Sequence, residues 1–88
     1  MKNHIKVYLE GMKIQKLDRF EDMYIPCEWY CGRPSVDVNH IDARGMGGSK
    51  TKDYLENLVG MCRKHHDDFE AGRIDEDELR QVHLNNIP

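Results

Sequence analysis

Hydrophobic residues change their spacing several times along this chain, and each change marks an element. Ile5, Tyr8, Leu9 and Met12 recur at i, i+3, i+4 and i+7, one face of a helix, which predicts a helix over about residues 3–17 despite Gly11. Ile25-Pro26 then forces extended backbone into CEWYCGRP, where Gly32 and Pro34 signal a turn. Val36 and Val38 alternate with Asp37 and Asn39, the period-2 pattern of a short strand over residues 36–40. Gly45, Gly47 and Gly48 open a long loop, within which residues 53–57 can form a helical turn. The apolar run Leu58 to Cys62 reads as a second short strand. Arg63 to Ala71 contains neither Gly nor Pro and is followed by Gly72, the pattern of a helix closed by a C-terminal glycine. Asp75, with Glu78 three residues on, caps a last helix over about 75–85 whose Leu79 and Val82 face inward. The predicted order is helix, knuckle, strand, loop, strand, helix, helix. This is an α+β chain forming a single domain over residues 1–88, with its core between about residues 26 and 72.

A chain of 88 residues buries only about 60% of its unfolded surface. With 39% hydrophobic and 33% charged residues, so small a core calls for a chemical staple. Three cysteines, an odd number, and no signal-like segment after Met1 argue against a secreted disulfide framework and for a reducing cytoplasm. No apolar run approaches the roughly 20 residues needed to cross a bilayer, so no membrane association is expected. A net charge of -3 argues against a protein that coats nucleic acid without specificity. Bases nevertheless outnumber acids between Arg33 and Lys64, which leaves room for a local phosphate-facing patch. The acids gathered between Asp67 and Glu78 should face away from DNA or toward a partner.

The staple has its own signature. Cys27 and Cys31 are separated by three residues, and Cys62 and His65 by two, so each pair can reach one ion. Tetrahedral zinc takes Cys3His sets at such spacings. Either His65 or His66 can complete the set, but adjacent helical residues lie about 100° apart and cannot both face the same ion. The competing reading makes Cys62 a small core residue and Cys27 and Cys31 incidental turn thiols.

A histidine, an asparagine and a second histidine then occur in order: His40 ends the first strand, Asn57 precedes the second, and His66 lies in the following helix. In VDVNHIDARGMGG, ENLVGMC and RKHH, over roughly residues 26–70, the sequence resembles the HNH nucleases, members of the ββα-metal fold, including the zinc knuckles that many of them carry. The resemblance implies a small ββα-metal domain with flanking N- and C-terminal helices, acting as a metal-dependent DNA endonuclease. His40 matches the general base that takes a proton from the attacking water, a role suited to a side chain that is neutral near physiological pH. Asn57 matches the asparagine expected to orient that imidazole. His66 matches a ligand of a catalytic divalent ion, Mg²⁺, Mn²⁺ or Ni²⁺, which leaves His65 to the structural zinc. Asn39 stands where the family usually has Asp or His as the second ligand; its amide brings no charge, so the ion would rely more on substrate phosphate oxygens.

The loop glycines would let the backbone approach a phosphate chain, with Arg44 and Lys50 placed to touch it. The implied partners are double-stranded DNA and a larger nuclease or phage complex, the chain being a monomer or homodimer of a type common in phage and mobile elements. The function of another class that suits the same residues is a zinc-knuckle module that binds DNA or protein without chemistry, a reading that Asn39 keeps open. His4 and His83 fall outside any constellation and are expected at the surface, and Trp29 and Tyr30 are expected to cover the knuckle.

Overall fold

The structure, a computed structural model, describes residues 2–42 and 52–88. Three helices, α1 (Asn3–Gly11), α2 (Arg63–Glu70) and α3 (Glu76–Asn86), surround a two-stranded antiparallel sheet of β1 (Asp37–His40) and β2 (Leu58–Met61), a small α+β fold. Single turns of 3-10 helix stand at Phe20–Asp22 and Leu55–Asn57. The register pairs Asp37 with Met61, Val38 with Gly60, Asn39 with Val59 and His40 with Leu58. Among the described residues, no helix is long and apolar enough to cross a membrane.

The strand β2 is buried along its whole length because alternate residues enter two different cores. Val59 and Met61 join Cys27, Ile41, Cys62, Ile74 and Leu79 on one side. Leu58 joins Tyr8, Leu9, Ile25 and Val38 on the other. Gly60 faces this second side, where an added Cβ would lie 2.9 Å from Ser35 Oγ and 3.0 Å from Tyr8 Oη. Val36, predicted as a strand residue, precedes β1 and is 45% exposed, although its N–H still donates to Met61 O at 3.0 Å.

The first helix ends earlier than its hydrophobic spacing suggests. Gly11 approaches Leu55 so closely that a Cβ would fall 2.5 Å from Leu55 Cδ2, and Lys13 turns left-handed at φ 58°. The Lys13 N–H donates to Glu10 O and the Ile14 N–H to Leu9 O, a Schellman closure that stops the helix six residues short of the expected end at 17. The other boundaries follow local signals. Gly72, at φ 79°, closes α2 through Arg73 N–H to Asp68 O, and the Asp75 carboxylate accepts from Glu78 N–H at 3.0 Å to cap α3.

One carboxylate joins these layers. Glu28, buried in the knuckle, accepts from Tyr8 Oη at 2.5 Å and Gly60 N–H at 3.2 Å through one oxygen. Its other oxygen meets His83 Nδ1 at 2.8 Å and accepts from Asn86 Nδ2 at 3.2 Å. His83, expected at the surface, is instead wholly buried, with Nε2 against Leu55 O at 2.6 Å. Both its ring nitrogens face acceptors, the arrangement of an imidazolium. Burial alone would lower the His83 pKa, but the Glu28 carboxylate and the Leu55 carbonyl outweigh it and hold the value above the ordinary one. The hydroxyl of Tyr8 is pushed far upward by burial and by Glu28.

Replacing Glu28 with Ala is expected to lower stability by about 3–5 kcal/mol, the cost of stranding a buried charge, as measured by urea unfolding. Because the His83 value is raised in the folded chain, the stabilisation is complete below its ordinary value of 6.5 and is lost as pH rises through the higher folded value. The melting temperature of the wild type should therefore fall on the alkaline side of 6.5, and His83→Gln should flatten that slope.

Candidate metal centre and the His40 cleft

The knuckle and the start of α2 bring together the four predicted staple residues. A bridge between Pro26 and Pro34, with Cys27 N–H donating to Arg33 O, holds Cys27 and Cys31 on one turn, while Tyr30 and Gly32 take left-handed backbone to make that turn tight. Cys62 is the N-cap residue of α2 and His65 lies in its first turn. His65 Nδ1 lies 3.5 Å from Cys27 Sγ and 3.5 Å from Cys62 Sγ, and Cys31 Sγ lies 3.6 Å from Cys62 Sγ. A tetrahedral ion with bonds of ~2.3 Å to sulfur and ~2.0 Å to nitrogen places its ligand atoms roughly 3.5–3.8 Å apart. The Cys3His cluster therefore fits a metal ion such as zinc. Trp29 packs against this core as expected, but Tyr30 is 75% exposed, its ring centroid 6.4 Å from that of Trp29.

The metal-free thiols are unequal. Burial pushes Cys27 up to about 11. Burial also opposes ionisation of Cys62, but the His65 N–H at the α2 N-terminus, the neighbouring Cys31 and Cys27 thiols and the Lys64 N–H together prevail and hold it below the ordinary thiol value. Metal binding must expel the Cys27 proton, so affinity is coupled to pH.

A second group of side chains gathers at the end of β1. His40 Nε2 lies 2.7 Å from Asp53 Oδ1, and Asp53 Oδ2 accepts from Asn3 Nδ2 at 3.0 Å. The Asp53 side chain is 1% exposed. The His4 ring, in the first turn of α1, sits with its centroid 4.9 Å from that of His40 and is tilted by 45°. His4 is buried rather than at the surface, because it lies four residues before Tyr8 on the helix face that meets the sheet. Asn39 and His40 line an open cleft together with Glu70 of α2. The Nδ2 of Asn39 is buried without a hydrogen-bond partner among the described residues.

Asn57 is fully buried, and its amide serves the backbone rather than the imidazole of His40. Its Oδ1 accepts from Asp42 N–H at 2.8 Å, and its Nδ2 donates to Asp42 O and Lys52 O at 3.0 Å each. The Lys52 ammonium also pairs with the Asp42 carboxylate, lowering the Asp42 pKa. One side chain thus ties together both ends of the segment between residues 42 and 52. His40 stands two residues before that tie and Asp53 one residue after it, so Asn57 fixes their separation indirectly. His66 Nε2 lies 3.5 Å from Oε1 of the cleft residue Glu70, and its Nδ1 lies 3.8 Å from Asp67 Oδ1. Arg44 and Lys50 lie outside the described residues.

The sequence reading missed Asp53 and His4. His4 had a signal in its helical phase with Tyr8; Asp53 had none, since its partner is 13 positions away across the glycine-rich segment.

Two outcomes follow from this geometry. A strong chelator should unfold the protein, with loss of far-UV circular dichroism, and the metal should be released more readily as pH falls. Asn57→Asp should destabilise more than Asn57→Ala, because it sets a carboxylate against the Asp42 and Lys52 carbonyls; chemical unfolding would rank them, the Ala variant losing about 1–3 kcal/mol or more.

No protein-family model matches the chain, and no solved structure matches it. A stretch of 49 residues, 56% of the chain, is 35% identical to an uncharacterized protein, YdfU, of Escherichia coli (strain K12). That stretch spans 14% of the length of YdfU, so the likeness is to a small part of a much longer protein.

Proposed function

We propose that the protein is a metal-dependent endonuclease that hydrolyses phosphodiester bonds in DNA, with His40 as general base. The contact that carries this reading is the 2.7 Å approach of His40 Nε2 to Asp53 Oδ1 at the mouth of an open cleft. A carboxylate on one ring nitrogen fixes the tautomer and orientation of an imidazole, so that the other nitrogen can accept a proton. The divalent ion would be held by Asn39, which lines the same cleft, and by His66, whose ring lies beside the cleft residue Glu70. When bound, such an ion offsets charge on the phosphorus centre and the leaving oxygen. Asn57 acts as a positioning residue for His40 and Asp53 through the backbone. Double-stranded DNA would approach the β1 end, where Arg44 and Lys50 would meet phosphate. The zinc-loaded knuckle supports the site structurally.

A second reading, a zinc-knuckle module that binds DNA or protein without cleaving it, draws on two observations. The Asn57 amide is spent on backbone, and His66 belongs to no cluster of three or more ligating residues among those described.

Relaxation of supercoiled plasmid by zinc-loaded protein, in Mg²⁺, Mn²⁺ or Ni²⁺, separates the two. Cleavage by the wild type is expected, with a loss on the order of 100-fold or more in His40→Ala and roughly 10–100-fold in Asp53→Asn. No relaxation with any of the three ions would reject the nuclease reading, and equal cleavage by wild type and His40→Ala would reject His40 as the base.

A further inference from the structure

His4, His40 and Asp53 form a donor set that shares no residue with the Cys3His centre and includes neither Asn39 nor His66. Each offers one ligand atom, and the three atoms lie within 4.8 Å of one another. Two imidazoles and one carboxylate are a recurrent set for zinc, iron, cobalt and related divalent ions, which prefer imidazole nitrogen more strongly than magnesium does. At bond lengths of ~2.1 Å, neighbouring ligand atoms stand roughly 3–3.4 Å apart. His40 Nε2 and Asp53 Oδ1, at 2.7 Å, are already at nearly that separation. His4 needs a modest inward movement of a ring that lies beside the His40 ring.

The surroundings are those of a supported site. The three ligands come from three parts of the fold: the first turn of α1, the end of β1 and the segment leading to the 3-10 turn Leu55–Asn57. Asn3 Nδ2 donates to the second oxygen of Asp53 and so fixes its carboxylate plane, the kind of outer contact that orients metal ligands. The Asn57 tie holds the backbone beside His40 and Asp53. His4 and His40 line the open cleft, which gives an ion a way in.

We propose that His4, His40 and Asp53 bind a second transition-metal ion, separate from the knuckle zinc. The proposal does not require the chain to be a nuclease. If His40 is the base, the ion and a proton compete for the same imidazole, so an occupied site holds His40 as a ligand and silences it.

Protein carrying one equivalent of zinc would be titrated with Co²⁺, followed by visible absorption and by metal content after desalting. The expected result is one further equivalent with d–d bands and no sulfur-to-cobalt charge transfer. His4→Phe, which retains a ring against His40, and Asp53→Asn, which retains the shape of the side chain, should each weaken that equivalent by more than the roughly 10–100-fold typical of an outer contact. The first equivalent should be unchanged in both, and far-UV circular dichroism reports that they fold. Absence of a second equivalent overturns the proposal. So does a second equivalent that survives His4→Phe and Asp53→Asn but is lost in His66→Ala, which would place the ion at the Asn39–His66 pair. The nuclease reading is judged separately, by plasmid relaxation in Mg²⁺.

Discussion

The Glu28 carboxylate, withdrawn from water and met by Tyr8, Gly60, His83 and Asn86, is the contact on which the architecture depends. A charge in such a place is tolerable only if every lone pair is met and an opposite charge stands close by. Those requirements recruit α1, β2 and α3 to one point. Because Glu28 follows Cys27, the same two residues of the knuckle serve both cores: the thiol faces the Cys3His side and the carboxylate faces the α1 side. A chain this small has little apolar area to spare, and it joins its layers through the Glu28 contacts and gathers beside them a Cys3His cluster that fits a metal ion.

The second organising element is a neutral amide. Asn57 satisfies three backbone groups from the two ends of one segment, and in doing so sets the distance between a histidine and an aspartate that are far apart in sequence. The pairing of His40 with Asp53 is the feature with the clearest chemical meaning at this end of the molecule. It supports both proposals, since the carboxylate can either orient the imidazole as a base or join it as a ligand of one ion. The occupant, proton or ion, would depend on which divalent cations are present.

The strands, α2 and α3 were legible in the sequence because their signals are local: alternation at 36–40, Gly72 after α2, and Asp75 with Glu78 at α3. The Cys3His cluster was legible for the same reason, since each close pair sits on one turn and helix geometry separates His65 from His66. The N-terminal helix was overrun because its stop depends on Leu55, 44 positions beyond Gly11. Burial of His83 was hidden for a similar reason; its partner Glu28 is 55 positions away. Asn57 was singled out, but its actual partners, the backbone of residues 42 and 52, become neighbours only when the chain doubles back. Local spacing reports elements and close ligand pairs; it cannot report which buried polar groups will meet.

The clamp made by Asn57 also changes what the intervening stretch has to do. With residues 42 and 52 held together by side-chain and ionic contacts, closing the nine-residue connection between them adds no constraint that the flanking residues must supply. Doubling such a connection costs only about 0.6 kcal/mol in closure entropy. Its length and sequence can therefore diverge among related chains while the contact between His40 and Asp53 stays in place.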